Sequence, residues 1–137
     1  MLEPLFVDTG YVLAYINAND QHHDEALRLE SYFAGHPLVT TDAVLLETGN
    51  ALSRGFKAQA IEIIQHFQEA EDVTLIHMNP LLFKDAFDLY QRYRDKEWGM
   101  VDCLSFVVMR EMKLTTALAF DKHFEQAGFR LLTANHG

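Results

Sequence analysis

The sequence predicts an α/β fold, a three-layer sandwich in which helices cover both faces of a central, mainly parallel, five-stranded sheet. Three observations lead there. Short apolar runs alternate along the whole chain with longer segments of helical periodicity. Turn-forming residues such as Gly35-His36-Pro37 and Asn79-Pro80 punctuate the alternation. No repeat, low-complexity stretch or linker interrupts it, so residues 1–137 read as a single domain.

The elements follow in order. Leu5-Phe6-Val7 is a first strand ending at Asp8, and Thr9-Gly10 turns the chain into a short helix over Tyr11 to Ile16. Asp20 is an N-cap candidate for a second helix, with Ala26, Leu27, Tyr32 and Phe33 as its apolar set. Leu38-Val39-Thr40 is a second strand. Thr41 or Asp42 then caps a helix carrying Val44, Leu45, Ala51 and Leu52 that ends near Gly55. Ala60, Ile61, Ile64, Phe67 and Ala70 are spaced as one face of the next helix. Val73 to Met78 is a third strand, and Asn79-Pro80 opens a helix with Phe83, Ala86, Leu89, Tyr90 and Tyr93 on one side. A helix from Asp102 through CLSFVVM is apolar nearly all round, which requires burial. TTALAF is the fourth strand, Asp121 starts a short helix ending at Gly128, and Phe129 to Leu132 is the fifth strand.

Composition narrows the function classes. The chain is 49% hydrophobic and 23% charged, the balance of a globular protein with a packed core. Its one cysteine, Cys103, lies in the buried helical run, which excludes an internal disulfide and fits a reducing compartment. MLEPLFVD has no basic patch before a long apolar stretch, and no run reaches membrane-span length, so a soluble cytoplasmic protein without membrane partners is expected. The formal net charge of −9 opposes broad electrostatic binding of nucleic acid. It is compatible with a nucleic-acid enzyme whose acids are gathered in a metal site.

Four acids stand in unusual company. Asp8 and Asp121 follow strands, and ligands of open α/β sheets bind at the carboxyl ends of strands. Asp102 opens a buried helix. Glu47 has Ala43, Val44, Asn50 and Ala51 as its helical neighbours instead of basic partners. Singly, each has an ordinary reading: a cap or turn for Asp8 and Asp121, an N-cap for Asp102, a solvated helix position for Glu47. One site at the sheet's C-terminal edge accounts for all four together. Four carboxylates in one cleft repel one another and raise their own pKa values unless a cation meets them. All-oxygen ligation selects Mg²⁺ or Mn²⁺ over zinc, and such ions serve phosphodiester hydrolysis.

VDTG with Asp8, LLETGNAL with Glu47, WGMVDCLSF with Asp102 and ALAFDKHFEQAGFRLL with Asp121 together resemble the PIN-domain family, and most closely its small stand-alone ribonucleases of the VapC toxin type. The resemblance spans nearly the whole chain, and the last two motifs are the most specific. It implies a five-stranded parallel sheet, Mg²⁺ or Mn²⁺ bound by Asp8, Glu47, Asp102 and Asp121, and endonucleolytic cleavage of RNA. It places Thr9 and Ser105 as supporting hydroxyls that orient a carboxylate or water. It further implies a homodimer and a small antitoxin protein that blocks the cleft.

Other residues weigh less. Asp95 is considered as a peripheral ligand, but beside Arg94 and Lys96 it reads better as a surface ion pair. The seven histidines, His22, His23, His36, His66, His77, His123 and His136, lack the paired spacing of zinc sites. His123 reads as a surface or packing residue with a secondary possibility of touching substrate. Arg54, Lys57, Arg92, Arg94, Lys96, Lys122 and Arg130 are candidates for phosphate contacts, and Trp98 for base stacking or for packing over the loop before Asp102. Two rival readings are a PIN-like module that binds RNA or protein without cutting, and a phospho-receiver domain, whose acid order fits poorly.

Overall fold

The computed structural model describes residues 2–134. Among these residues the chain forms β1 (Leu5–Val7), α1 (Thr9–Ile16), α2 (His23–Phe33), β2 (Leu38–Thr41), α3 (Asp42–Leu52), α4 (Lys57–Glu69), β3 (Val73–Ile76), α5 (Pro80–Arg92), α6 (Met100–Glu111), β4 (Thr116–Leu118), α7 (His123–Gln126) and β5 (Arg130–Leu131). The five strands make one wholly parallel sheet in the order β3-β2-β1-β4-β5. His136 lies outside the described residues. No helix among them is long and apolar enough to cross a membrane.

The strand order has a consequence for function. The chain winds from β1 outward through β2 and β3, then returns to place β4 on the other side of β1. The order therefore reverses between β1 and β4, and a crevice opens there at the carboxyl ends of the strands. Asp8 leaves β1 at that point, its N–H donating to the carbonyl of Leu118 at the end of β4 over 3.0 Å. Asp121 follows β4 by three residues.

Period-two alternation sorts the strand side chains between two cores. Leu5, Val7 and Leu118 pack with Tyr11, Val12, Ala26, Leu29 and Phe67 under α1, α2 and α4. Phe6, Val39 and Ala117 pack on the other face with Leu82, Ala86, Leu89, Phe106 and Met109 from α5 and α6. Central β1 and β4 are buried at every position, as expected of strands covered on both sides.

Local chemistry sets the boundaries. The Thr41 hydroxyl accepts from Val44 N–H and the Asn79 side chain accepts from Leu82 N–H, so both N-caps are made as their sequences require. Asp20 is not the cap of α2, because His22 takes that place. The Asp20 carboxylate instead accepts the His22 N–H at 2.8 Å within the preceding turn. Both α6 and α7 end in a Schellman motif. Leu114 N–H returns to the Met109 carbonyl with Lys113 at φ 57°, and Phe129 N–H returns to the Phe124 carbonyl with Gly128 at φ 99°.

Several helical faces differ from the sequence reading. Leu27, Tyr32, Ile61, Phe83 and Tyr90 are exposed, and Leu29 and Leu82 take the inward places. Apolar spacing identified the helices, but docking against the sheet chose which flank of each broad stripe is covered. Trp98 is core. It is 4% exposed, its ring centroid lies 4.9 Å from that of Tyr93 and 5.0 Å from that of Phe106, and its indole N–H donates to Gln126.

Candidate active site

An open cleft of about 530 Å³ lies at the reversal point, lined by Asp8, Glu47, Asp102 and Asp121 together with Thr9 and Gly10. The acids come from four separate elements or turns. Asp8 is the N-cap of α1 in extended conformation, Glu47 lies mid-α3, Asp102 sits in the first turn of α6, and Asp121 follows β4. Asp20, Gln21, His22 and Phe120 complete the wall, and no lysine or arginine lines it.

Asp8 is the buried acid of the described residues, at 7% exposure. Its pKa is pushed up to about 7, first by burial, then by the charges of Asp102 and Glu47. The Thr9 and Gly10 N–H groups at the start of α1 pull the other way. Neither forms a full side-chain cap bond, so their help is that of oriented dipoles.

The remaining acids are held by named partners. Thr9 Oγ1 donates to Glu47 Oε1 at 2.7 Å, across 38 residues of sequence. Gly99 N–H donates to Asp102 Oδ2 at 3.2 Å, so Asp102 caps its helix from inside, since glycine has no side chain to complete a capping box. Asp121 Oδ1 accepts the His123 N–H at 2.9 Å. His123 Nδ1 lies 3.1 Å from both Asp102 Oδ2 and Asp121 Oδ2.

Ser105 does not join this set. It is fully buried and its hydroxyl donates one turn back to the Val101 carbonyl at 2.9 Å, a bond any mid-helix serine can make. Asp95 is exposed and stands 3.9 Å from Lys96, away from the cleft. Arg130 opens β5 beside Glu3 and Thr116, at the amino ends of the strands and so away from the cleft. Arg54, Lys57, Arg92, Arg94, Lys96 and Lys122 are exposed and outside the cleft lining. Cys103 is fully buried, and burial and the Asp102 charge raise its thiol pKa to about 11, so it is inert packing.

From the sequence, His123 reads as a surface or packing residue and Asp20 as a helix cap, and nothing foretells the stack of His22 on Phe120, whose rings are 4.4 Å apart and within 8° of parallel. For His123 a signal existed, two positions beyond Asp121. For the other two none did. A second hollow, of about 310 Å³, lies between α1, α2 and α4 and is mostly apolar. Of its polar residues, Tyr15 donates to Glu30 and Tyr11 to the Ala26 carbonyl, and its one acid is thus met by a hydroxyl, whereas the acidic cleft gathers its carboxylates without a lysine or arginine.

The donor set fits a divalent cation. Asp102 and Asp121 bring carboxylate oxygens within 4.8 Å of each other with the His123 ring beside them, and Asp8 and Glu47 line the same cleft. A carboxyl that burial first, and like-charged neighbours second, make hold a proton near neutrality is one that a cation would relieve.

This fold and this acidic crevice define a PIN domain, and the chain belongs to that family, whose model matches residues 5–130. Nucleases of the family use a divalent metal ion. Within it the chain resembles the VapC type. It is 34% identical over 127 residues to the 23S rRNA-specific endonuclease VapC20 of Mycobacterium tuberculosis, covering 91% of this chain and 95% of that protein. The crystal structure of VapC20, a sarcin–ricin loop cleaving toxin, superposes with a TM-score of 0.81 at 32% identity, again over 91% and 95% of the two chains. FitAcB from Neisseria gonorrhoeae shares the fold, with a TM-score of 0.65 at 10% identity over 97% and 99%.

Proposed function

We propose that this protein is a Mg²⁺- or Mn²⁺-dependent endoribonuclease, the toxin of a toxin–antitoxin pair, with Asp8, Glu47, Asp102 and Asp121 as the metal-binding and catalytic acids. The observation that carries the reading is the convergence of the four carboxylates on one cleft, with Asp8 buried among them. The bound ion would activate water and neutralise charge at the scissile phosphate. The protein's own part is to hold the donors. Thr9 fixes one oxygen of Glu47 and leaves the other free, and the Gly99 N–H does the same for Asp102. Asp8 must give up its proton to join the set, and the start of α1 favours that ionisation. Because VapC20 is named for 23S rRNA, ribosomal RNA is the first substrate to assay.

The decisive test is Asp102→Asn. The variant should fold normally and lose cleavage of RNA in Mn²⁺; a purified variant that cuts as fast as the parent defeats the assignment. The partners expected are a second copy of the chain and a small antitoxin encoded nearby, and the place of action is the cytoplasm, where ribosomes are. One flank of α5 supports self-association, because Phe83, Phe87 and Tyr90, spaced i, i+4, i+7, are all exposed there. Phe87→Glu should shift the sedimenting species from dimer to monomer.

A further inference from the structure

We propose that His123 is a positioning residue of this site, its imidazole clamping the Asp102 and Asp121 carboxylates at the spacing a divalent cation requires. The inference rests on the metal-dependent reading above. Its geometry is independent of that reading.

His123 is tied in place from both ends. Its backbone N–H donates to Asp121 Oδ1, and its ring returns to Asp121 Oδ2 and Asp102 Oδ2 at 3.1 Å each. The next residue, Phe124, is fully buried and meets Phe106 of α6 edge-on, with centroids 5.0 Å apart and planes at 90°. The backbone that carries His123 is therefore anchored to the same helix that carries Asp102. Neither Asp102 nor Asp121 has a lysine or arginine ion pair among the described residues, so this ring is the side-chain donor between them.

Two facts separate positioning from ligation. An ionised carboxylate only accepts hydrogen bonds, so His123 Nδ1, 3.1 Å from one oxygen of Asp102 and one of Asp121, carries the hydrogen and is not itself a ligand atom; the lone pair of the neutral ring is on Nε2. Asp102 and Asp121 line the cleft, whereas His123 stands behind them and does not. Asp102 Oδ2 is thus occupied by His123 and Gly99, which leaves Oδ1 for the cleft.

The test is a Mn²⁺ titration of the full chain followed by electron paramagnetic resonance, comparing the parent with H123A and H123N, alongside steady-state cleavage of RNA at saturating Mn²⁺. Asparagine places an amide donor near the Nδ1 position. H123A should bind Mn²⁺ about 10-fold or more weakly, within the range for lost outer partners of metal ligands. Its kcat should fall with KM for RNA unchanged, and H123N should recover most of the affinity. Should H123A fail to fold, H123F, which keeps the ring and loses the donor, replaces it. Parent-like Mn²⁺ affinity in H123A or H123F overturns the inference and leaves the nuclease reading intact. So does nitrogen hyperfine coupling in the parent that disappears on substitution, since it would make His123 a ligand. A parent that binds no Mn²⁺ removes both.

Discussion

Asp8→Asn should stabilise the metal-free protein while abolishing its cleavage of RNA. Asp8 has an ordinary pKa of 3.8 that the fold raises to about 7. A shift of about three units corresponds to ~4 kcal/mol at ~1.36 kcal/mol per unit. The sign follows from proton binding. The folded state holds this proton more tightly than the unfolded chain, so stability falls as pH rises from about 4 to about 7 and the loss is complete above 7. Asparagine keeps the volume, has no charge to bury, and retains one oxygen for the N–H groups of α1. In EDTA at pH 8 the variant should therefore be more stable by ~2–4 kcal/mol, a rise in Tm on the order of 10 °C for a domain of this size. At pH 5 most of the difference should be gone. Urea unfolding at the two pH values measures it. A variant no more stable than the parent at pH 8, or a difference independent of pH, would refute the claim that Asp8 is held as a frustrated charge. Saturating Mn²⁺ should reverse the ranking by stabilising the parent preferentially.

Other expectations follow from the same contacts. Thr9→Val removes the 2.7 Å bond to Glu47 at nearly constant volume, so kcat in Mn²⁺ should drop by ~10-fold with stability changed by ~1 kcal/mol or less, read by kinetics and thermal melts. Because Asp8 must ionise to bind metal, the apparent Mn²⁺ affinity of the parent should rise ~10-fold per pH unit up to about 7 and then level off; an affinity independent of pH in calorimetric titrations would contradict this. Lys113→Gly should raise stability by ~1 kcal/mol in urea unfolding, because Lys113 sits at φ 57° in the position that Gly128 fills at the end of α7.

Much of this protein was legible in its residues. Alternating apolar runs and helical periods give an α/β sheet, Asn79-Pro80 and Thr41 start helices where their chemistry demands, and the four acids could be picked out by their apolar company. These are local properties, carried by backbone preferences and by period two or 3.6 within one element. What the docking of elements alone decided is of another kind. The order β3-β2-β1-β4-β5 brought Asp8 and Asp121 into one cleft, and the pairing of Arg130 with Thr116 left Arg130 at the amino ends of the strands, away from it. The hydroxyl of Thr9 found Glu47 38 positions away, that of Ser105 turned back to Val101, and His123 came to rest between Asp102 and Asp121. A side chain's hydrogen-bond partner depends on distances across packed layers, and a linear pattern encodes those only after the layers have met.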